Sequence, residues 1–211
     1  MSLLDIVIRE CRKHGIRVLL LPSEEVRYPG TTKPYLGYFV VDPGGTTAAL
    51  CCGMTYSHWE EILLHEYNHA RQWIEKDPVW DGTHLTPEEA ERYGVRPDQE
   101  TLDVIHRWLA REIEIAPEEL TRLFDRSIAV EMDCERRTQE MGTELFEDWF
   151  PEYYAQRVNG YLRAYKYAEL TRVWPEPDNE EDLWDQMPTT LDLDYFAPIT
   201  EAEKAIFDAF V

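Results

Sequence analysis

Apolar positions along this chain recur with two periods, about 3.6 and about 2 residues, and the two rhythms mark out most of its elements. Residues 2–14 read as a helix, capped by Ser2 and ended by Gly15. Residues 16–21 then read as a buried strand. Two further strands, 35–41 and 46–51, flank Pro43-Gly44-Gly45, a turn signal, and together read as a hairpin. The hairpin leads directly into a strong helical pattern carried by Trp59, Ile62, Leu63, Ala70, Trp73 and Ile74. Ser57 and Glu60 form a capping-box pattern at its start, and Asp77-Pro78 stops it. Residues 77–97 read as a polar connection with a short helix over 86–93, capped by Thr86 and Glu89. Helices over 98–112 and 117–141 follow. The second has Pro117 at its first position, Glu118 and Glu119 in its first turn and Gly142 just past its end. A helix over about 152–173 is rich in tyrosine, residues 175–198 read as irregular, and a short helix begins at Thr200, with Glu203 completing its cap.

The pattern places one chemical motif well inside a helix: His65-Glu66-Tyr67-Asn68-His69. Histidines four apart lie one turn apart on the same helical face, so two imidazoles can grip one metal ion. Glu66 can then reach a water bound to that ion. A catalytic zinc site keeps three protein ligands and leaves one position for water, and a carboxylate takes the proton as that water attacks a carbonyl. The plain alternative is a surface helix with two solvated histidines. The uncharged Tyr67, Asn68 and Ala70 argue against it, because they suit a buried helix.

Two histidines are one ligand short. The 117–141 helix offers Glu131, since Leu120, Phe124 and Ile128 form an apolar stripe that runs on into Glu131, Glu135 and Thr138. Carboxylates on such a face need partners. Glu131 would bind the metal, and Glu135 would accept a hydrogen bond from the ring N–H of a ligating histidine. The competing reading is that the stripe drifts and both acids are solvated. Glu75 is a second candidate, but Gln72 stands where a chain-turning glycine would be needed to bring it round. His58, His84 and His106 are weaker: the first lies two turns from His65, the second sits in a loop, and the third stands beside the apolar Leu102, Ile105 and Leu109. Cys134, one residue before Glu135, reads as a core residue pointing off the acidic face.

With these residues the chain resembles the zincin metallopeptidases, in their gluzincin branch. There an HExxH helix is followed by a second helix bearing a ligating Glu and, four residues later, an acidic residue that holds a zinc histidine. His65, Glu66 and His69 match the first motif; Glu131 and Glu135 match the second, with Glu in place of the more usual Asp. The gap between the motifs is longer than is typical, and the Asn that often precedes the second motif is missing. The resemblance covers residues 16–142 and implies Zn2+ as cofactor and a peptide or protein substrate, bound by strand addition to a sheet edge from the 35–51 hairpin.

The fold class expected is α+β and zincin-like: mostly helical, with a small N-terminal antiparallel or mixed sheet packed against the HExxH helix. One domain is expected over 1–211, with a core at about 1–142 and a helical extension at about 143–211. A net charge of −21 argues against non-specific nucleic-acid binding and against an anionic membrane surface. No apolar run reaches membrane-spanning length, and the N-terminus lacks a basic-then-apolar leader, so a cytoplasmic protein is expected. The 4 cysteines include no Cys-x-x-Cys pair, which makes a structural zinc ribbon a poor fit. Zinc-dependent peptide hydrolysis is the leading expectation. A binding protein that keeps the zincin fold without hydrolysis, and an acidic decoy that mimics nucleic acid, are the alternatives. The decoy leaves the His65–Glu66–His69 spacing unexplained.

Overall fold

A computed structural model describes residues 2–27, 34–42, 45–96, 99–175 and 180–210. The chain is α+β and mainly helical. Its elements are α1 (Leu3–Lys13), β1 (Ile16–Leu21), β2 (Val26–Arg27), β3 (Pro34–Tyr35), β4 (Gly37–Val41), β5 (Ala48–Gly53), α2 (Trp59–Glu75), α3 (Pro78–Thr83), α4 (Pro87–Tyr93), α5 (Thr101–Leu109), α6 (Pro117–Leu145), α7 (Pro151–Thr171), α8 (Glu180–Trp184) and α9 (Glu201–Asp208). They group into two compact units: Met1–Trp80 with Glu140–Trp149, and Asp81–Gln139 with Phe150–Val211.

The first unit is built on a three-stranded mixed sheet, ordered β1-β5-β4. β5 pairs in parallel with β1 and antiparallel with β4, so the expected hairpin forms and a parallel strand is added to it. Pro43 and Gly44 of the predicted turn lie outside the described residues. Asp42 holds the flanks, accepting from the Thr46 and Thr47 backbone N–H groups at 2.6 and 2.8 Å. β5 is buried along its whole length, as a central strand under helices must be. α1 packs on β1, and α2 packs on β5 and β4. Phe39 of β4 meets the rings of Trp73 and Trp80, 6.1 and 5.4 Å between centroids. The HExxH helix is therefore mounted directly on the sheet.

Caps decide where several helices begin. Ser2 and Asp5, Thr86 and Glu89, and Thr200 and Glu203 form the reciprocal capping boxes that their sequences announce. Ser57 does not. Trp59 N–H donates to Tyr56 O at 3.2 Å, so residues 56–59 close a turn, and α2 starts from His58 with no side-chain cap. Pro78 ends nothing by itself; it opens α3, while Lys76 in the left-handed conformation terminates α2. α5 is shorter than the expected 98–112, and Asp98 lies outside the described residues.

The second unit is helical. Its elements include α4, α5, most of α6 and α7 to α9. The predicted stripe on α6 is real: Leu120, Phe124, Ile128, Glu135 and Thr138 are all buried. Gly142 does not stop α6, which runs on to Leu145. The glycine makes room instead, since a Cβ there would overlap the Trp149 indole. Residues 185–198 carry no regular structure but are pinned to α7. Asn159 donates to Pro188 O and Thr190 O at 2.7 and 2.9 Å and accepts from Tyr195. Arg163, almost wholly buried, donates to Ala197 O and Glu203. Among the described residues no helix is long and apolar enough to cross a membrane.

Candidate metal centre

α2 brings the two histidines together as their spacing requires. The Nε2 atoms of His65 and His69 lie 3.1 Å apart, with the rings edge to face. A tetrahedral ion with bonds of about 2.0–2.1 Å to nitrogen holds two nitrogens roughly 3.3 Å apart, so the pair is already near a ligating geometry. His69 Nδ1 meets Gln72 Oε1 at 2.9 Å, inside the same helix. Gln72 is fully buried, and an amide oxygen there fixes the proton on Nδ1. The Nε2 atom of His69 then faces that of His65.

Glu66 is buried beside the sheet. β4 admits it through Gly37: a Cβ at that position would come within 2.7 Å of Ile62 and 2.9 Å of Glu66 Cγ. A side chain at position 37 would push the carboxylate away, which makes this glycine part of the site. Burial raises the Cys52 thiol to about 12, and the charge of Glu66 adds to the rise. The sulfurs of β5 thus stay protonated beside that carboxylate.

On α6, Glu131 is half-buried and Glu135 buried. α7 faces them with phenols. The Tyr154 hydroxyl donates to Glu135 Oε2. Tyr161, partly exposed at its ring, turns its hydroxyl onto that of Tyr165, 3.0 Å away. Burial and then the nearby carboxylates, Glu135 for Tyr154 and Glu131 for the other two, hold all three phenols protonated far above their usual range.

His65 and His69 stand on α2 of the first unit, whereas Glu131, Cys134 and Glu135 share α6 in the second. The remaining sequence candidates are engaged elsewhere. Glu75 pairs with Arg71 at 3.1 Å, and His58 pairs with Glu61 at 3.2 Å. His84 and His106 are exposed, the latter on the outward side of α5 rather than in its core.

Sequence reasoning missed three contributors. Gln72 had a signal, since a polar residue three positions after a ligating histidine can reach back to it. Gly37 and Tyr154 had none: each matters through a neighbour distant in sequence. Cys134 is fully buried, as expected of a core residue. It stands three residues after Glu131, and residues three apart are neighbours on a helix surface. Comparison of the chain with protein-family models, with curated proteins and with solved structures gives no match.

Proposed function

We propose that the protein is a zinc-dependent peptidase of zincin type. The observation that carries this reading is the HExxH helix seated on the sheet with both imidazole Nε2 atoms turned on each other at 3.1 Å and Glu66 buried alongside. The imidazole pair suits a borderline-soft divalent cation. His65 and His69 would hold the ion, and α6 would complete the set, with Glu131 the donor to which the sequence points. Zinc bound there would polarise a carbonyl and bring the pKa of a water towards neutrality.

The chain's own residues supply the rest. Glu66 accepts a proton as general base and returns it to the leaving amine as general acid. Its burial keeps water from competing for that proton. Gln72 orients His69, and Tyr154 orients Glu135. β4 lies at one edge of the sheet, and Gly37 on it borders Glu66. An extended peptide pairing with that edge would run past the carboxylate that cuts it.

The test is Glu66→Gln. The zinc-loaded wild type is expected to cleave members of a peptide library, and the variant to keep its zinc while losing roughly 10²- to 10⁴-fold in kcat. A zinc-binding protein whose wild type cleaves nothing would point to a fold used for binding alone.

A further inference from the structure

We propose that the outer edge of β1 is a docking site for an acidic, extended peptide segment, whose apolar residues settle between β1 and α1 and whose carboxylates meet Arg12 and Arg17. The site lies wholly within the first unit, needs no metal, and occupies the opposite edge of the sheet from β4.

β1 pairs with β5 on one side, and among the described residues no strand pairs with the other. On the β5 side the Met54 N–H donates to Leu21 O at 2.9 Å. Carbonyl directions alternate along a strand, so those of Val18 and Leu20 point outward, where an added strand would meet them. Sheet edges are ordinarily blunted or covered. Here apolar side chains stand exposed instead: Leu19 and Leu21 on one face of the strand, and Ile8 of α1 on the other. On the Ile8 side, α1 and β1 border a groove of about 440 Å³ lined by Ile8, Arg12, Gly15, Ile16, Val18 and Leu20. A peptide laid along β1 would send alternate side chains into this groove and the others beside Leu19 and Leu21.

Charge identifies the occupant. The chain carries 21 basic against 42 acidic residues, yet residues 9–17 hold Arg9, Arg12, Lys13 and Arg17 against Glu10 alone. Glu10 pairs with Arg9 and Lys13, at 2.9 and 3.0 Å. Arg12 and Arg17 stand exposed at the start of β1, the first lining the groove and the second on the other face of the strand. Arg12 also suits the C-terminal end of α1, but that role accounts for neither Arg17 nor the apolar lining. At physiological salt, charges beyond roughly 8 Å are screened, so these local cations outweigh the distant acids. A second copy adding its own β1 would bring no carboxylate to them, since residues 16–21 contain none, and it would carry the same −21 charge.

The metal-free full chain is titrated with a fluorescein-labelled synthetic peptide, two glutamates followed by alternating valine and threonine, and fluorescence anisotropy reads binding. Saturable binding that weakens with added salt is expected. Arg12→Glu, checked for folding by circular dichroism, should weaken it roughly tenfold. N-methylation of alternate peptide amides, in one register or the other, should abolish it with no change to the protein. No binding, equal binding of a peptide with lysines in place of the glutamates, or indifference to N-methylation overturns the proposal. So does a chain that sediments alone as a dimer and becomes a monomer in Leu19→Lys, which would give the edge to a second copy. The titration contains no metal, so its failure leaves the peptidase reading standing.

Discussion

The two helices that carry the candidate chemistry secure their polar side chains in opposite ways. On α2 the partners are local: His69 meets His65 four residues back and Gln72 three residues on, all within one helix. On α6 the partners come from far along the chain. Glu135 is held by Tyr154, 19 residues away, and Asp125 by Lys166, 41 residues away. Local pairs form whenever their helix forms and need only its periodicity. Distant pairs exist only once packing has brought two helices together, and their burial makes them costly to break. The molecule thus places its candidate histidine pair on a scaffold that one helix supplies, and secures the acids of α6 by tertiary contacts.

The largest expected effect falls on the distant side. Tyr154→Phe removes a hydrogen bond to a buried carboxylate, which is worth about 1.5–3 kcal/mol. Urea unfolding of the metal-free protein should show a loss of that size. An unchanged midpoint would mean that the contact to Glu135 does not hold the helices together. Gln72→Leu tests the local side. Removing a group that orients a ligating histidine typically lowers metal affinity by roughly 10- to 100-fold. Competition with a chromophoric chelator measures it, and an affinity equal to wild type would show that His69 needs no such support.

Smaller effects separate a cap that forms from one that only reads as a cap. Thr86→Ala should cost about 1 kcal/mol, because its side chain accepts from Glu89 N–H. Ser57→Ala should stay within about 0.5 kcal/mol, since that serine caps nothing in α2. Thermal melts of the pair decide between them, and equal losses would contradict the start of α2 at His58. The smallest effect is electrostatic. The backbone N–H of Thr47, then the hydroxyl of Thr46, hold Asp42 at about 2, below its ordinary 3.8. The ionised form therefore favours folding: its contribution is full above pH 3.8 and fades as pH falls towards 2. Asp42→Asn should flatten the acid limb of the stability profile in that window, and a profile that superimposes on wild type would remove Asp42 from the account.

Much of the fold was legible. α1, α4 and α9 carry their caps and periods in contiguous residues, and so does the apolar stripe of α6; β1 forms where expected but is not the buried strand its apolar run suggests, since Leu19 and Leu21 are exposed. The errors share one cause. Gly142 reads as a stop because glycine commonly ends helices, yet here it answers to Trp149, seven residues on. Ser57 reads as a cap because its spacing to Glu60 is right, yet the turn at Tyr56 moves the helix start. The added pairing of β1 with β5 joins strands 32 residues apart (Ile16 with Ala48), and no local pattern encodes it.

By itself the sequence determined the HExxH pair and its geometry, because four residues on an α-helix can meet in only one way. It also determined that acids on a buried stripe of α6 would need partners. Only the tertiary structure decided which partners: Tyr154 for Glu135, and Gly37 making room for Glu66. The physical reason is that helical periodicity fixes directions around one axis, whereas the distance between two axes is set by the packing of everything between them.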